Sequence, residues 1–220
     1  MLKTSGIRKA AFAAALLLLT LHIAACRKEE PQYGRKLESS DIGGHVLSGS
    51  ANSPVRIEVF SDLQCPACRE LFLKVIQPVM VEYKDKVCVV YYEFPLSVHQ
   101  YARQAARYVE AAYELGQQKA LSAYETIFTD QSYWASDGNL EYSVAKALSG
   151  DDFQKVRQIV RDTGHLAEID ETIERNLRHG RSKGVSATPT VFISHGGKEE
   201  KVDVMLTYPV MKQFLDPITK

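Results

Sequence analysis

The spacing of hydrophobic positions changes along the chain, and each change predicts an element. Residues 55–60 and 87–94 are short apolar, β-branched or aromatic runs, which favour buried strands. Between them, apolar positions with helical spacing occur at Leu71, Phe72, Val75, Ile76, Val79 and Met80. Pro78 lies inside this helical pattern, so we expect a kink there, because proline cannot donate a backbone hydrogen bond.

The second half of the chain changes period twice. Residues 99–184 keep a helical periodicity that is interrupted by glycines. Residues 190–193 and 201–204 then favour two strands, and the Ser-His-Gly-Gly sequence at 194–197 predicts the turn between them. The pattern is therefore typical of a long helical block followed by a hairpin.

The predicted order is a strand–helix–strand unit, the helical block, the hairpin, and a last helix over residues 209–215 with Thr207 as its N-cap. The first unit builds parallel strands, and the hairpin adds antiparallel strands to the same sheet. The block is too long for a loop. We therefore expect an α/β fold in which a helical subdomain at 98–183 is inserted between two parts of one sheet domain, 54–97 and 184–220.

A dithiol motif, Cys65-Pro66-Ala67-Cys68, joins the first predicted strand to the first predicted helix. The first sulfur then lies at a helix N-terminus, where unpaired N–H groups and the helix dipole favour the thiolate. Because the thiolate is the nucleophile in disulfide exchange, this placement activates Cys65. Cys68 follows one turn later and can resolve a mixed disulfide.

The alternatives for this motif are a structural disulfide or half of a zinc site. A zinc site needs a second pair of ligands at suitable spacing. The other cysteines, Cys26 and Cys88, are isolated, and none of the six histidines forms such a pair. Cys88 lies in an apolar strand pattern and is expected to be a buried, inert thiol. A role for Cys88 as a third redox cysteine is the alternative.

Residues 1–25 have the pattern of a signal peptide, because three basic residues precede an apolar stretch at 10–21 that is short for a membrane span. The Ile-Ala-Ala-Cys sequence that ends at Cys26 resembles a bacterial lipobox, which implies that Cys26 becomes a lipid-bearing first residue. An ordinary signal peptide is the alternative. Either reading predicts export to a compartment where disulfides persist, and the lipid would hold the protein at a bacterial membrane facing the periplasm or the cell exterior.

Residues 26–53 are polar and rich in glycine and serine, which is typical of a tether, with a short edge strand expected near 44–47. The charges balance, with 27 basic and 27 acidic residues. This balance argues against a nucleic-acid partner.

Three segments and the helical block together resemble the DsbA-like thiol-disulfide oxidoreductases, which have a thioredoxin fold. The segments are residues 59–68, which contain the dithiol, residues 93–102, which lead into the insertion, and residues 184–193, which contain Pro189. The resemblance covers residues 50–217. It implies that Pro189 follows a cis peptide bond beside the sulfurs, and that Thr188 offers backbone groups to an extended substrate segment.

Glu58 is a candidate for the buried carboxylate that moves the proton of the resolving thiol, with a solvated charge as the alternative. Asp62 and Glu70 are expected to be exposed, and His99 to begin the insertion in a structural role. Ala67 has no side-chain donor for a thiolate, which would make the dithiol less oxidising and leaves the direction of electron flow open.

These observations predict an extracytoplasmic thiol-disulfide oxidoreductase that introduces disulfides into exported proteins and is reoxidised by a membrane redox partner. No metal, nucleotide or flavin cofactor is implied, and a monomer is expected. A reductase or isomerase of the same fold is one alternative. A lipoprotein that uses the dithiol to bind copper(I) is an alternative of another class.

Overall fold

The computed structural model describes residues 43–202 and 206–219. The predicted signal peptide, Cys26 and most of the predicted tether lie outside the described residues. The sheet has five strands in the order β1-β3-β2-β4-β5. In chain order the strands are β1 His45–Ser48, β2 Val55–Ser61, β3 Val87–Glu93, β4 Thr190–His195 and β5 Lys198–Val202.

The two central strands, β2 and β3, are parallel, whereas the other pairs are antiparallel. Every residue of β3 is buried, and only Arg56 of β2 is partly exposed. Strands buried on both faces are expected where helices cover both sides of a sheet. β1 occupies the position where the sequence predicts an edge strand, and it pairs with β3.

The helices of the described residues follow the predicted order. They are α1 Pro66–Leu71, α2 Gln77–Glu82, α3 Ala102–Glu114, α4 Gln117–Thr129, α5 Gln131–Trp134, α6 Glu141–Ala147, α7 Gly150–Ile159, α8 Thr163–Ser182 and α9 Tyr208–Ile218. In this part of the chain, no helix is both long and apolar enough to cross a membrane.

The irregularity expected at Pro78 takes the form of a π-helical segment, Phe72–Ile76, between α1 and α2. Pro78 has no N–H to donate to the carbonyl of Lys74, four residues earlier, so the regular α-helical ladder is interrupted there. The segment still buries Phe72, Val75 and Ile76.

The insertion packs against the sheet domain mainly through α4, which contacts β1, and α8, which contacts β3. Gly180 of α8 makes this close approach possible, because a Cβ atom at that position would lie 2.5 Å from the Phe94 ring and 2.9 Å from the Phe60 ring. Such distances are well inside van der Waals contact, so a side chain would force the helix away from the sheet.

The β4–β5 hairpin is tighter than the sequence predicts. Gly196 and Gly197 alone form the turn, with φ angles of +57° and +76° that suit a two-residue type I′ turn. β5 therefore begins at Lys198 rather than at residue 201. Its first four side chains are charged and exposed, as is common at a sheet edge that must not pair with other chains. Thr207 is the N-cap residue of α9, although its side chain makes no capping hydrogen bond.

Candidate functional site

The dithiol lies where β2 turns into α1. Cys65 is the N-cap residue of α1, in extended backbone conformation, and its carbonyl accepts the first helical hydrogen bond from the Arg69 N–H at 3.1 Å. Pro66 occupies the first helical position, which suits proline because that N–H has no partner within the helix. Both thiols are free, Cys65 is 7% exposed and Cys68 is fully buried.

The two thiols have opposite acidities. The Cys68 thiol hydrogen-bonds to Cys65, and together with backbone hydrogen bonds it lowers the Cys65 pKa to about 6 despite partial burial. The Thr188 side chain contributes in the same direction. Burial raises the pKa of Cys68 well above its usual value. At neutral pH Cys65 is therefore mainly a thiolate, whereas Cys68 is a thiol.

The loop that precedes β4 closes over the sulfur of Cys65. The Thr188–Pro189 peptide bond is cis, as the resemblance implies. The Cys65 sulfur lies 3.5 Å from the Thr188 carbonyl oxygen, which accepts a hydrogen bond from the sulfur when Cys65 is protonated. Thr188 is only partly buried and Ala187 is exposed, so backbone groups beside the sulfur are open to another chain.

A cavity of about 640 Å³ opens beside the same loop. Leu96, His99 and Arg103 line one wall, and Arg181 and Ser186 line the other. The cavity thus lies between the start of the insertion, the end of α8 and the segment that leads to Thr188.

Asp62 is fully buried and organises the loop between β2 and the dithiol, contrary to the expectation that it is exposed. Its carboxylate accepts hydrogen bonds from the backbone N–H groups of Gln64 and Leu96, each at 2.8 Å, and pairs with His99 Nδ1 at 2.8 Å. Its own N–H points to the Cys68 sulfur at 3.4 Å. A buried carboxylate with several donors is stable, and sequence spacing gave no signal of this arrangement.

The insertion also holds the active-site segment through side-chain amides. Gln131 donates to the carbonyls of Leu63 and Cys65 at 2.8 and 3.1 Å. Gln64 donates to the Ala135 carbonyl at 2.8 Å and accepts from the Tyr101 N–H at 2.6 Å. The helical subdomain is therefore part of the scaffold that positions Cys65.

Glu58 is buried rather than solvated, but the structure does not place it beside Cys65 or Cys68. Along β2 it points to the same side as Phe60, towards α8, where Lys183 pairs with its carboxylate and Arg56 lies 3.6 Å away. Lys183 also pairs with Glu199 at 2.7 Å. The strand alternation thus places Glu58 on the opposite face of the sheet from α1.

Cys88 lies on the same face as Glu58, away from the dithiol, and is fully buried. Burial raises its pKa to about 11, so it holds its proton and is a poor nucleophile. In the described parts of the chain, no group of three His, Cys, Asp or Glu side chains could hold a metal ion.

The face that does carry Cys68 holds Ser61, Tyr91 and Glu93, which sequence reasoning missed. Glu93 is 1% exposed and accepts a hydrogen bond from the Tyr124 hydroxyl. Its one signal in the sequence is a carboxylate at the end of an otherwise apolar strand run.

Comparison with known proteins places this site in a family. The family described as Thioredoxin matches residues 40–217. A "Probable disulfide bond formation protein D" of Bacillus anthracis is 27% identical over 152 residues, 66% of this chain and 68% of the relative. The crystal structure of Pseudomonas aeruginosa DsbA2 superposes with a TM-score of 0.61 at 26% identity, covering 83% of this chain and 96% of that one. Oxidised BdbD of Bacillus subtilis, at 16% identity, has the same fold, with a TM-score of 0.61 over 81% and 94% of the chains.

A thioredoxin-like sheet with a helical insertion and a dithiol at a helix N-terminus defines a thiol-disulfide oxidoreductase. The chain belongs to the thioredoxin family, and within it to the DsbA-like thiol-disulfide oxidoreductases.

Proposed function

We propose that this protein is an extracytoplasmic disulfide donor, in which Cys65 and Cys68 are the catalytic dithiol. The observation that carries the proposal is the placement of Cys65 at the N-terminus of α1, beside the buried Cys68 and the Thr188 carbonyl, where its pKa is lowered to about 6. A sulfur that is stable as a thiolate is a good leaving group, and stabilising the reduced form makes the dithiol more oxidising.

The reaction begins with the Cys65–Cys68 disulfide. A substrate thiolate attacks the Cys65 sulfur, the bond to Cys68 breaks, and a mixed disulfide forms between Cys65 and the substrate. A second substrate thiolate then attacks the substrate sulfur of that bond, and Cys65 leaves as a thiolate. The substrate loses two electrons and gains a disulfide, and the dithiol gains the same two electrons.

The absence of a side-chain donor at Ala67 does not argue against this direction. The Cys65 thiolate is stabilised by the Cys68 thiol and by backbone N–H groups of Ala67 and Cys68, as at other helix N-termini. These donors belong to the backbone geometry and require no polar residue between the cysteines.

Thr188 and Pro189 would form the substrate platform. An extended segment of an exported protein can pair with the backbone beside Thr188, which gives affinity with little demand on sequence. The cavity beside this loop offers room for flanking side chains. The curated relative whose name refers to disulfide bond formation supports substrates of this kind.

Location and recycling complete the proposal. The signal-peptide pattern at 1–25 and the lipobox-like sequence ending at Cys26 support a lipid-anchored protein outside the cytoplasm. There, a membrane redox partner would reoxidise the dithiol after each turnover. The rest of the predicted tether, from Arg27 to the first strand, would separate the enzyme from the membrane surface.

The reduction potential of the dithiol tests the direction. We would equilibrate the protein with glutathione buffers, using Cys26→Ser to remove the anchor and Cys88→Ser as a control for the third thiol. A potential near −120 mV is expected for a donor. A potential near −270 mV would identify a reductase instead. Retention of copper(I) without disulfide exchange in the same preparation would favour the binding protein.

A further inference from the structure

The two cysteines alone do not explain how a buried Cys68 sulfur can act as the leaving group. When a substrate thiolate attacks Cys65, Cys68 leaves as an anion in a fully buried position. Burial disfavours a charged sulfur, as the raised pKa of Cys68 reflects. The step is therefore easier if a buried acid protonates the leaving sulfur.

The sheet face under Cys68 presents such an acid. Ser61 of β2 and Glu93 of β3 are neighbours in the parallel register, so their side chains lie side by side on the face that α1 covers. Burial raises the Cys68 pKa, and the nearby Ser61 hydroxyl opposes that shift by a small amount, although no hydrogen bond of regular geometry joins Ser61 to Cys68. Ser61 has no other partner among the described residues.

Glu93 is suited to hold the proton. It is 1% exposed, and burial raises its pKa well above the usual range, which favours the neutral form that carries a proton. The carboxylates of Glu110 and Asp62 act in the same direction. No Lys, Arg or His ion pair with Glu93 occurs within residues 43–202 and 206–219. The Tyr124 hydroxyl donates a hydrogen bond to the Oε1 atom of Glu93.

Tyr91 marks the same region. Its hydroxyl is buried without a hydrogen-bond partner in the described structure, and burial raises its pKa, with smaller contributions in the same direction from Cys68 and Glu93 when they are ionised. The sulfur and the carboxyl group are therefore close to one buried phenol. Glu58, by contrast, is ion-paired with Lys183 on the opposite face.

We propose that Glu93 is the proton donor to the departing Cys68 sulfur and that the Ser61 hydroxyl relays the proton. This inference rests on the proposed exchange reaction at Cys65 and Cys68. As the Cys65–Cys68 bond breaks, Ser61 gives its proton to the Cys68 sulfur and takes one from the Glu93 carboxyl group. Glu93 is left as a carboxylate and later regains a proton from solvent. In the reverse direction the Glu93 carboxylate accepts the proton of Cys68 through Ser61. The resulting Cys68 thiolate then attacks the mixed disulfide at Cys65.

Single-turnover kinetics test the proposal. The oxidised protein would be mixed with excess N-acetylcysteine from pH 5 to 9, quenched with acid, and analysed by mass spectrometry for the mixed disulfide. Glu93→Gln keeps the shape and can still accept from Tyr124, but it cannot give up a proton. We expect it to slow mixed-disulfide formation at least about tenfold at pH 7 and to remove the pH dependence that the acid imposes.

The other variants separate this role from a structural one. Ser61→Ala should slow the same step, and Ser61→Ala with Glu93→Gln should be no slower than the slower single variant, because both act on one path. Glu58→Gln, the rival carboxylate, should react as the unmodified protein does. The Cys65 titration, followed by thiolate absorbance, should stay unchanged in all three single variants.

An unchanged rate and pH profile in Glu93→Gln, or a slower rate that is accompanied by a shifted Cys65 titration, overturns the proposal. If Glu93→Gln fails to fold, Ser61→Ala decides by the same criterion. Failure of the unmodified protein to oxidise thiol-containing proteins would reject the proposed function alone, since the reaction with N-acetylcysteine still reports the proton transfer.

Discussion

The Cys65 sulfur and the Thr188 carbonyl oxygen lie 3.5 Å apart although 123 positions separate the two residues in sequence. The strand β2 and the loop before β4 meet because the two strands are adjacent in the sheet. The reactive sulfur is thus placed beside backbone groups that can bind an extended substrate. Exchange with an extended substrate needs both the Cys65 sulfur and the backbone groups beside Thr188.

The acidity of Cys65 should depend on its partner. Because the Cys68 thiol is the largest contribution that lowers the Cys65 pKa, Cys68→Ala should raise that pKa from about 6 towards its usual value. Thiolate absorbance of the reduced protein against pH measures the change. Cys88→Ser is the control, since Cys88 lies on the other face and should leave the midpoint where it was. A midpoint unaffected by Cys68→Ala would contradict the hydrogen-bond explanation.

The reduced protein should gain stability with pH relative to Cys65→Ser. The Cys65 pKa is about 6 in the fold and 9.0 as its ordinary value, so the unfolded chain binds more protons between these values. The contribution is fully present above pH 9 and is lost as the pH falls through 6. Urea unfolding at pH 5, 7 and 9 measures it. The oxidised protein has no Cys65 thiolate, so a similar trend there would point to another group.

Asp62 should matter far more than its neighbour Glu70. Asp62→Ala leaves the N–H groups of Gln64 and Leu96 without their acceptor, and we expect a loss of about 2–3 kcal/mol in the free energy of unfolding. The exchange rate should also fall, because the loop that holds the Asp62 N–H against the Cys68 sulfur loses the side-chain hydrogen bonds that fix it. Denaturant unfolding and the thiol-exchange assay test both. Glu70→Ala, on the exposed side of α1, should leave the free energy of unfolding nearly unchanged.

The buried pair of Glu58 and Lys183 should serve stability rather than exchange. Lys183→Met leaves the Glu58 carboxylate buried, with Arg56 3.6 Å away as its nearest cation, and should cost about 3 kcal/mol. Adding Glu58→Gln should recover part of that loss, because the buried carboxylate that has lost its partner is then replaced by a neutral amide. Arg178→Ala, which breaks only a surface pair with Glu171, should change stability by less than about 1 kcal/mol. An exchange rate that falls with Lys183→Met in the folded protein would assign this pair a role in the reaction.

The order of the elements and the position of the dithiol were predictable because their signals are local. A strand followed by Cys-x-x-Cys and an apolar helix places Cys65 at a helix N-terminus whatever the rest of the chain does. The hairpin was also predictable, since Gly196 and Gly197 suit a tight turn, although the turn is shorter than predicted and β4 extends to His195. Pro189 is recognisable only through resemblance, since nothing local distinguishes it from a proline that begins a strand.

The sequence by itself determined the fold class and the reactive pair, because periodicity and helix termini are properties of neighbouring residues. Only the tertiary structure decided which carboxylates face the cysteines. β2 and β3 are buried on both faces, so their hydrophobic pattern has no alternation from which the side of Glu58 or Glu93 could be read. Asp62 is buried only because the residues that lead into the insertion supply its donors. These relationships depend on helices that pack from distant parts of the chain, and no local pattern encodes them.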